Sequence, residues 1–227
     1  MGLMRLVFLT GAGMSQESGL KTFRDSDGLW ENYDVEQVAS IEGWYADPQL
    51  VTNFYNERRT QLASVKPNSG HIAIGNLESK HRVTVITQNV DDLHERGGSS
   101  DILHLHGELT KIKSDRNDSI VQDIGYTTME YGVKSPDGGI WRPNIVWFGE
   151  AVPMISEAAQ VVAEAELLVI VGTSMNVYPA AGLLNYAPAD CNIIFIDPFP
   201  NISSRAKLRI IEAKATEGLA LLEKELL

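Results

Sequence analysis

The sequence predicts an α/β fold built on a doubly wound, mostly parallel, Rossmann-like sheet. Three features carry that expectation: short apolar runs without polar alternation, amphipathic segments between them, and a glycine-rich turn directly after the first run. A strand covered on both faces reads as a continuous apolar run, whereas a half-exposed strand alternates. Leu6–Leu9, Val83–Thr87, Ile145–Phe148, Leu167–Val171 and Ile193–Ile196 read in the first way and are assigned to the sheet.

The intervening segments follow in order. Asp47-Pro48 opens a helix running to about Val65, with Asp as N-cap and Pro in the first turn. Leu50, Phe54 and Leu62 line one side of it, Arg58 and Arg59 another. Further helices are expected over Asn68–Lys80, Ser156–Ala165 and Thr216–Leu226. Between Glu108 and Trp141 the rhythm breaks into Lys, Asp, Ser, Gly and Pro, and this stretch reads as a small inserted module with mobile parts.

Composition narrows the class. The chain has 227 residues, 44% hydrophobic and 22% charged, which suits a soluble globular protein of one large domain, or one domain with a small annex. Nineteen Lys and Arg against 30 Asp and Glu give a net charge of −11. That argues against nucleic acid and anionic membranes, which need clustered positive charge, and favours a basic partner such as a lysine-rich tail. The lone cysteine, Cys191, permits no intrachain disulfide or cysteine-based metal cluster and makes a cytoplasmic setting the expectation. No segment reads as a targeting peptide or a membrane span.

Chemistry gathers at the ends of the strands. Gly11-Ala12-Gly13 follows the first strand, where backbone N–H groups can approach a pyrophosphate, but Gln16 stands where a dinucleotide fingerprint needs glycine. A tight strand–helix turn is the equal alternative. Arg24 suits a phosphate, or simply a solvated surface; Phe23 suits a cover over a reactive centre, or core packing. Asn89 and Asp91, after the second strand, can hold a ribose hydroxyl and a carboxamide, or form an Asx-type cap. His104 and His106 alternate and share a strand face, and spacing does not choose the base between them. Gly172-Thr173-Ser174 can line the adenosine half of a site or make an ordinary turn. Tyr55 and Arg58, three apart on a helix, share a face, unless Glu57, Arg58 and Arg59 form a solvated one.

Five ordered blocks carry a resemblance. They are Gly11-Ala12-Gly13-x-Ser15-x-x-Ser18-Gly19-x-x-Thr22-Phe23-Arg24; Thr87-Gln88-Asn89-Val90-Asp91-x-Leu93-His94; His104-Leu105-His106-Gly107; Arg142-Pro143-Asn144-Ile145-Val146-Trp147-Phe148-Gly149-Glu150; and Gly172-Thr173-Ser174 with Val177-Tyr178-Pro179-Ala180-Ala181. Together they resemble the sirtuins, NAD-dependent protein-lysine deacylases, over nearly the whole chain.

The resemblance implies a large Rossmann-like part at about 1–27, 66–107 and 142–227, and a small one at about 28–65 and 108–141. It implies NAD as cofactor and an acylated lysine of a protein or peptide as substrate, yielding nicotinamide and 2′-O-acyl-ADP-ribose. It makes His106 the base, Asn89 and Asp91 its catalytic partners, and Phe23 the shield over the ribose carbon. It assigns Gly11, Ala12, Gly13, Ser15, Thr22, Phe23, Arg24, Gln88, Gly172, Thr173, Ser174, Asp197 and Ala215 to the cofactor, and Val146, Phe148, Gly149 and Glu150 to the substrate backbone by strand addition. Tyr55 and Arg58 look like the pair that desuccinylase-type members point at a succinyl or malonyl carboxylate.

Two departures stand out. Most sirtuins hold a structural zinc with four cysteines between the His-Gly and Arg-Pro blocks; here Ser114, Asn117, Ser135 and Asp137 stand near those places, so no structural zinc is expected. The module then needs packing of Ile112, Ile120, Ile124, Tyr126, Met129 and Tyr131, or is partly disordered. Asp197-Pro198 stands where asparagine is frequent, and its charge favours NAD over a 2′-phosphorylated cofactor. Rival readings are ADP-ribosyl transfer or NAD hydrolysis on the same site, a silent NAD- or acyl-lysine-binding module, and, least favoured, a hydride-transfer dehydrogenase.

Overall fold

The computed structural model describes residues 2–20, 29–30 and 33–227. Strand β1 (Arg5–Thr10) leads into the short helix α1 (Gly13–Gln16). The two-residue strands β2 (Leu29–Trp30) and β3 (Tyr33–Asp34) pair antiparallel. Three helices follow: α2 (Val35–Ala39), α3 (Ile41–Ala46) and α4 (Pro48–Ser64). Then come α5 (Ser69–Leu77), β4 (Arg82–Thr87), α6 (Leu93–Arg96) and β5 (Ile102–His104). Strands β6 (Gly107–Ser114), β7 (Val121–Asp123) and β8 (Trp141–Ile145) form a separate antiparallel sheet in the order β7-β6-β8. The chain ends with α7 (Ile155–Ala163), β9 (Leu167–Val171), a 3₁₀ turn over Ala180–Tyr186, β10 (Asn192–Ile196), β11 (Leu208–Ile211) and α8 (Ala215–Leu226).

The large sheet is parallel, in the order β11-β10-β9-β1-β4-β5. Its central strands are apolar on both faces because both are covered. Leu6 and Phe8 pack with α5 and α8 residues such as Ile74 and Leu219, while Val7 and Leu9 pack with Val162 of α7 and Leu183. The chain moves from β1 to one side of the sheet and later returns on the other, so the switch point lies between β1 and β9, where such sheets open a crevice.

Expected and observed elements differ at the margins. Ile145–Phe148 is not a strand of the parallel sheet. Ile145 ends β8, and the next residues alternate: Trp147 is buried, Phe148 half exposed. That alternation suits a surface-facing edge, and Phe148 bridges the α2–α3 junction through Ala39 O and Ile41 N. The edge strands β5 and β11 and the helices α2 and α3 carried no continuous apolar run. Asp47 does cap α4, its carboxylate accepting from Leu50 N at 2.9 Å.

The 108–141 stretch folds around two centres. Ile112, Met129 and Trp141 form a small apolar cluster with Ile120 and Ile124 against it, while Tyr126 and Tyr131 reach outward to Asp92 and Trp44. The second centre is polar. The Asp137 carboxylate accepts from the hydroxyls of Ser114 (2.9 Å) and Ser135 (2.6 Å) and from Gly139 N (3.2 Å), and Ser135 Oγ also lies 3.1 Å from Ser114 Oγ. Arg59 of α4 is fully buried, donating to Leu109 O of β6 and to Asn56 Oδ1, both at 2.8 Å, which ties this helix to the small sheet.

Candidate active site

The site begins where β1 and β4 end side by side, with Thr10 and Thr87 in register. Both residues are fully buried, and Thr10 Oγ1 donates to Thr87 Oγ1 at 2.9 Å. From Thr87 the chain turns through Gln88 and Asn89 to Asp91, and from Thr10 through the glycine turn to Ser15. The turns meet: Asn89 Nδ2 donates to Ser15 Oγ (3.1 Å), and Ser15 Oγ donates to Asp91 Oδ2 (2.8 Å). Leu93 N donates to Asp91 Oδ1 at 3.2 Å, so Asp91 also caps the following turn. Burial pushes the Asp91 carboxyl up to about 6, against the pull of Ser15 and Leu93.

Above this floor lies a cavity of about 480 Å³. Gly11, Ala12, Ser15, Gln88, Asn89, Asp91, Thr173 and Ser174 line one part of it. Tyr55, Arg58, Val146, Phe148, Gly149 and Glu150 line another, with His106 between. His104 and His106 both reach the 88–89 loop, as their alternation demands, through Asn89 O at 3.2 Å and Gln88 O at 3.0 Å. Only His106 lines the cavity. Burial lowers the His106 imidazole below its ordinary value, with Gln88 O opposing. The ring is therefore neutral near pH 7, Nδ1–H donates to Gln88 O, and Nε2 keeps a lone pair. His104 is instead raised: burial pulls it down, and the Glu95 carboxylate 2.7 Å from Nε2 outweighs that. Gly107, at φ +82°, lets β8 pass so close that a Cβ would meet Asn144 O at 2.0 Å.

Four candidate cofactor residues do not line this cavity. Gly13 and Gly172 pack against one another, and a Cβ on Gly172, at φ +62°, would lie 2.4 Å from Met14 N. The N–H groups of Gly11, Gly13, Met14 and Ser15 donate to the carbonyls of Val171, Gly172, Gly11 and Ala12. For these residues the glycines serve a tight junction between two strand ends. Asp197 accepts from Phe199 N at 2.9 Å at the end of β10, and Ala215 is buried at the start of α8. Thr22, Phe23 and Arg24 lie outside the described residues.

On the other side of the cavity, the solvated-face alternative fails. Of Glu57, Arg58 and Arg59 only Glu57 is exposed; the Arg58 side chain is 15% exposed, and its guanidinium lies 5.2 Å from the Phe54 ring. Tyr55 is buried, which pushes its phenol up, and Trp147 Nε1–H donates to its oxygen at 2.9 Å. Sequence reading gave Trp147 and Arg142 no role. Arg142 lies 3.6 Å over the Trp147 ring and forks onto Glu150 at 2.7 and 2.9 Å. Glu150, expected at the substrate backbone, therefore spends its carboxylate on Arg142 and on Trp147 N–H. Strand addition is similarly narrowed, since both backbone groups of Phe148 pair with the α2–α3 junction and Val146 N donates to His106 O. No spacing rule would have signalled this lock.

The donor set suits the ribose and nicotinamide end of NAD: a neutral base at His106, an amide at Asn89, and a carboxylate acceptor at Asp91. It does not suit zinc. The single cysteine is Cys191, buried beside β10, and Ser114, Ser135 and Asp137 are already bonded to one another. No zinc-binding cysteine set exists in this chain.

A parallel sheet with a crevice at its switch point, roofed by a small antiparallel sheet, defines an α/β protein of the kind that takes ligands at its strand ends. The sequence model of the Sir2 family matches residues 11–179, and the chain belongs to that family. It is 52% identical over 231 residues to an NAD-dependent protein deacylase of Bacteroides thetaiotaomicron, covering 99% of both chains. It is 53% identical over 196 residues to one from Helicobacter pylori, covering 86% of this chain and 85% of that one. Among solved structures, a Sir2 homolog–NAD complex superposes with a TM-score of 0.86 at 34% identity, covering 97% of this chain and 88% of the other.

Proposed function

We propose that this chain is an NAD-dependent protein-lysine deacylase that accepts acetyl-lysine and the acidic succinyl- and malonyl-lysines. The observation that carries the reading is His106: a neutral imidazole in the cavity, its tautomer set by Gln88 O, one loop away from Asn89 and Asp91. The names of the relatives and the NAD complex of a structural neighbour support it.

NAD, when bound, would supply an electrophilic ribose carbon: the acyl oxygen would bond to it as nicotinamide leaves, and one water would complete the release of free lysine and 2′-O-acyl-ADP-ribose. Asp91 would accept from its carboxamide N–H₂, and Asn89 would orient the ribose and the water. His106 Nε2 would take the proton of a ribose hydroxyl. Arg58 receives an acidic acyl terminus, a charged hydrogen bond of about 1.5–3 kcal/mol, with the Tyr55 phenol beside it. The net charge of −11 suits lysine-rich substrates, and the lone buried cysteine suits the cytoplasm. No helix among the described residues is long and apolar enough to cross a membrane.

The test is mass spectrometry of acetyl-, succinyl- and malonyl-lysine peptides incubated with and without NAD. NAD-dependent loss of the acyl group with matching nicotinamide release is expected. ADP-ribose left on protein without deacylation, or binding without turnover, would replace this reading with one of its rivals.

A further inference from the structure

Beneath the catalytic loop lies a pair of histidines that the chemistry above does not use. His71 of α5 and His94 of α6 are both fully buried, with ring centroids 4.8 Å apart and planes inclined by 64°. Each has one nitrogen in a hydrogen bond and one without. His71 Nδ1 receives the Asn68 backbone N–H at 3.3 Å, and His71 Nε2 has no partner. His94 Nε2 lies 3.0 Å from Thr10 Oγ1, and His94 Nδ1 has no partner. Burial holds His71 at about 4 and His94 well below its ordinary value, so both rings are neutral and each carries a single proton.

The tautomers follow from bookkeeping of donors. A backbone N–H is a donor only, so His71 Nδ1 is bare and the proton sits on Nε2. For His94 two arrangements exist. If Thr10 donated to His94 Nε2, the His94 proton would sit on Nδ1, and the core would hold two N–H donors without an acceptor. If Thr10 donates to Thr87, as the 2.9 Å contact allows, His94 donates from Nε2 and its Nδ1 is an acceptor. The core then holds one unpartnered imidazole N–H, on His71, instead of two, and a buried acceptor without a partner costs less than a buried donor.

We propose that His94 is a positioning residue for the catalytic loop, acting in a one-way relay of donors from His94 through Thr10 to Thr87, with the His71 ring packed against it. Thr87 Oγ1 also receives the backbone N–H of Asn89 at 3.1 Å. The relay thus fixes where Asn89 stands, and through Ser15 where Asp91 stands. His71, in ring contact with His94, is tied to the first loop through Asn68, whose backbone N–H meets His71 Nδ1 and whose side chain donates to Met14 O (2.9 Å) and Ser18 Oγ (3.0 Å). The His71–His94 ring contact thus joins hydrogen bonds to the first loop on one side and to the catalytic loop on the other.

The kinetic half of the test rests on the deacylase reading; the spectroscopic half does not. Imidazole ¹⁵N NMR of the ligand-free protein is expected to show His71 and His94 as Nε2–H tautomers, unchanged from pH 5 to 8, and His106 as Nδ1–H. A His94 proton on Nδ1, or titration of His94 near the value of free imidazole, overturns the relay whatever the protein catalyses. In the activity assay, Thr87→Val is expected to lower kcat about tenfold while KM for acetylated peptide stays within twofold, and Thr87→Ser is expected to restore kcat. His94→Phe is expected to match the loss in Thr87→Val, and the double variant to lose no more than either. Multiplying losses, or equal behaviour of Thr87→Val and Thr87→Ser, would reduce these residues to packing. Absence of any NAD-dependent deacylation in the parent protein, with the tautomers as stated, would sink the deacylase reading and leave the relay standing.

Discussion

Two carboxylates in this protein are held in nearly the same way and titrate in opposite directions. Asp91 accepts from a serine hydroxyl and a backbone N–H; Asp137 accepts from two serine hydroxyls and a backbone N–H. Asp91 is buried under the crevice, and burial drives its carboxyl up to about 6. Asp137 is exposed at the tip of the small sheet, and the Ser135 hydroxyl, followed by Ser114 and Gly139, holds its carboxyl below the ordinary 3.8. Hydrogen bonds decide the matter where water is near, and desolvation decides it where water is excluded. The first carboxylate costs the folded chain stability when ionised, and the second adds to it.

The comparison breaks most visibly at the crevice. His106→Ala is expected to lower acylpeptide-dependent nicotinamide release by about 10²- to 10⁴-fold, the usual contribution of a positioned base, and full activity in that variant would end the assignment. Because His106 is held below its ordinary value, the acid limb of the parent's kcat/KM profile is expected below pH 6.5. A limb at or above that pH would show a charged ring. Across the cavity, Arg58→Met is expected to cut desuccinylation and demalonylation by about ten- to a hundredfold while sparing deacetylation. Equal loss of all three would make Arg58 a structural residue.

The stability side sharpens it further. A carboxyl raised from 3.8 to about 6 binds its proton more tightly in the folded chain. Asp91 therefore withdraws stability as pH rises through that window, and the deficit, roughly 3 kcal/mol at most, persists above it. Asp91→Asn is expected to raise the thermal midpoint at pH 8, to gain much less at pH 4, and to lose activity. A gain independent of pH would show that the carboxylate is not the cause. Asp137 carries the opposite sign: its contribution is present at neutral pH and is lost only as pH falls below 3.8. The smallest effect is expected from Ser135→Ala, which removes one hydroxyl at about 1 kcal/mol, or roughly 2–4 °C in a chain of this size. Metal analysis of the purified protein is expected to find no stoichiometric zinc, and a chelator is expected to leave the midpoint unmoved. One equivalent of zinc would show that the serine–aspartate cluster does not stand in for metal.

The sequence made the parallel sheet legible because β1, β4, β9 and β10 are covered on both faces, and only a continuous apolar run satisfies that. The capped helix α4 was legible because Asp47-Pro48 acts locally. Ile145–Phe148 misled because four apolar residues read alike whether they cross a core or run along a rim. The ordered blocks placed Asn89, Asp91 and His106 together before any coordinates did.

What sequence alone determined is therefore what depends on neighbours in the chain: periodicity, caps, turn glycines and the order of the blocks. Tertiary structure decided what depends on approach from elsewhere. Spacing could not say which of two alternating histidines faces the cavity, that Arg142 locks Glu150, that Arg59 is buried while Glu57 is not, or that Ser114, Ser135 and Asp137 close on one another. Each is a matter of a few ångströms between segments 8 to 50 residues apart. Charge and proton placement follow those distances and the water they exclude.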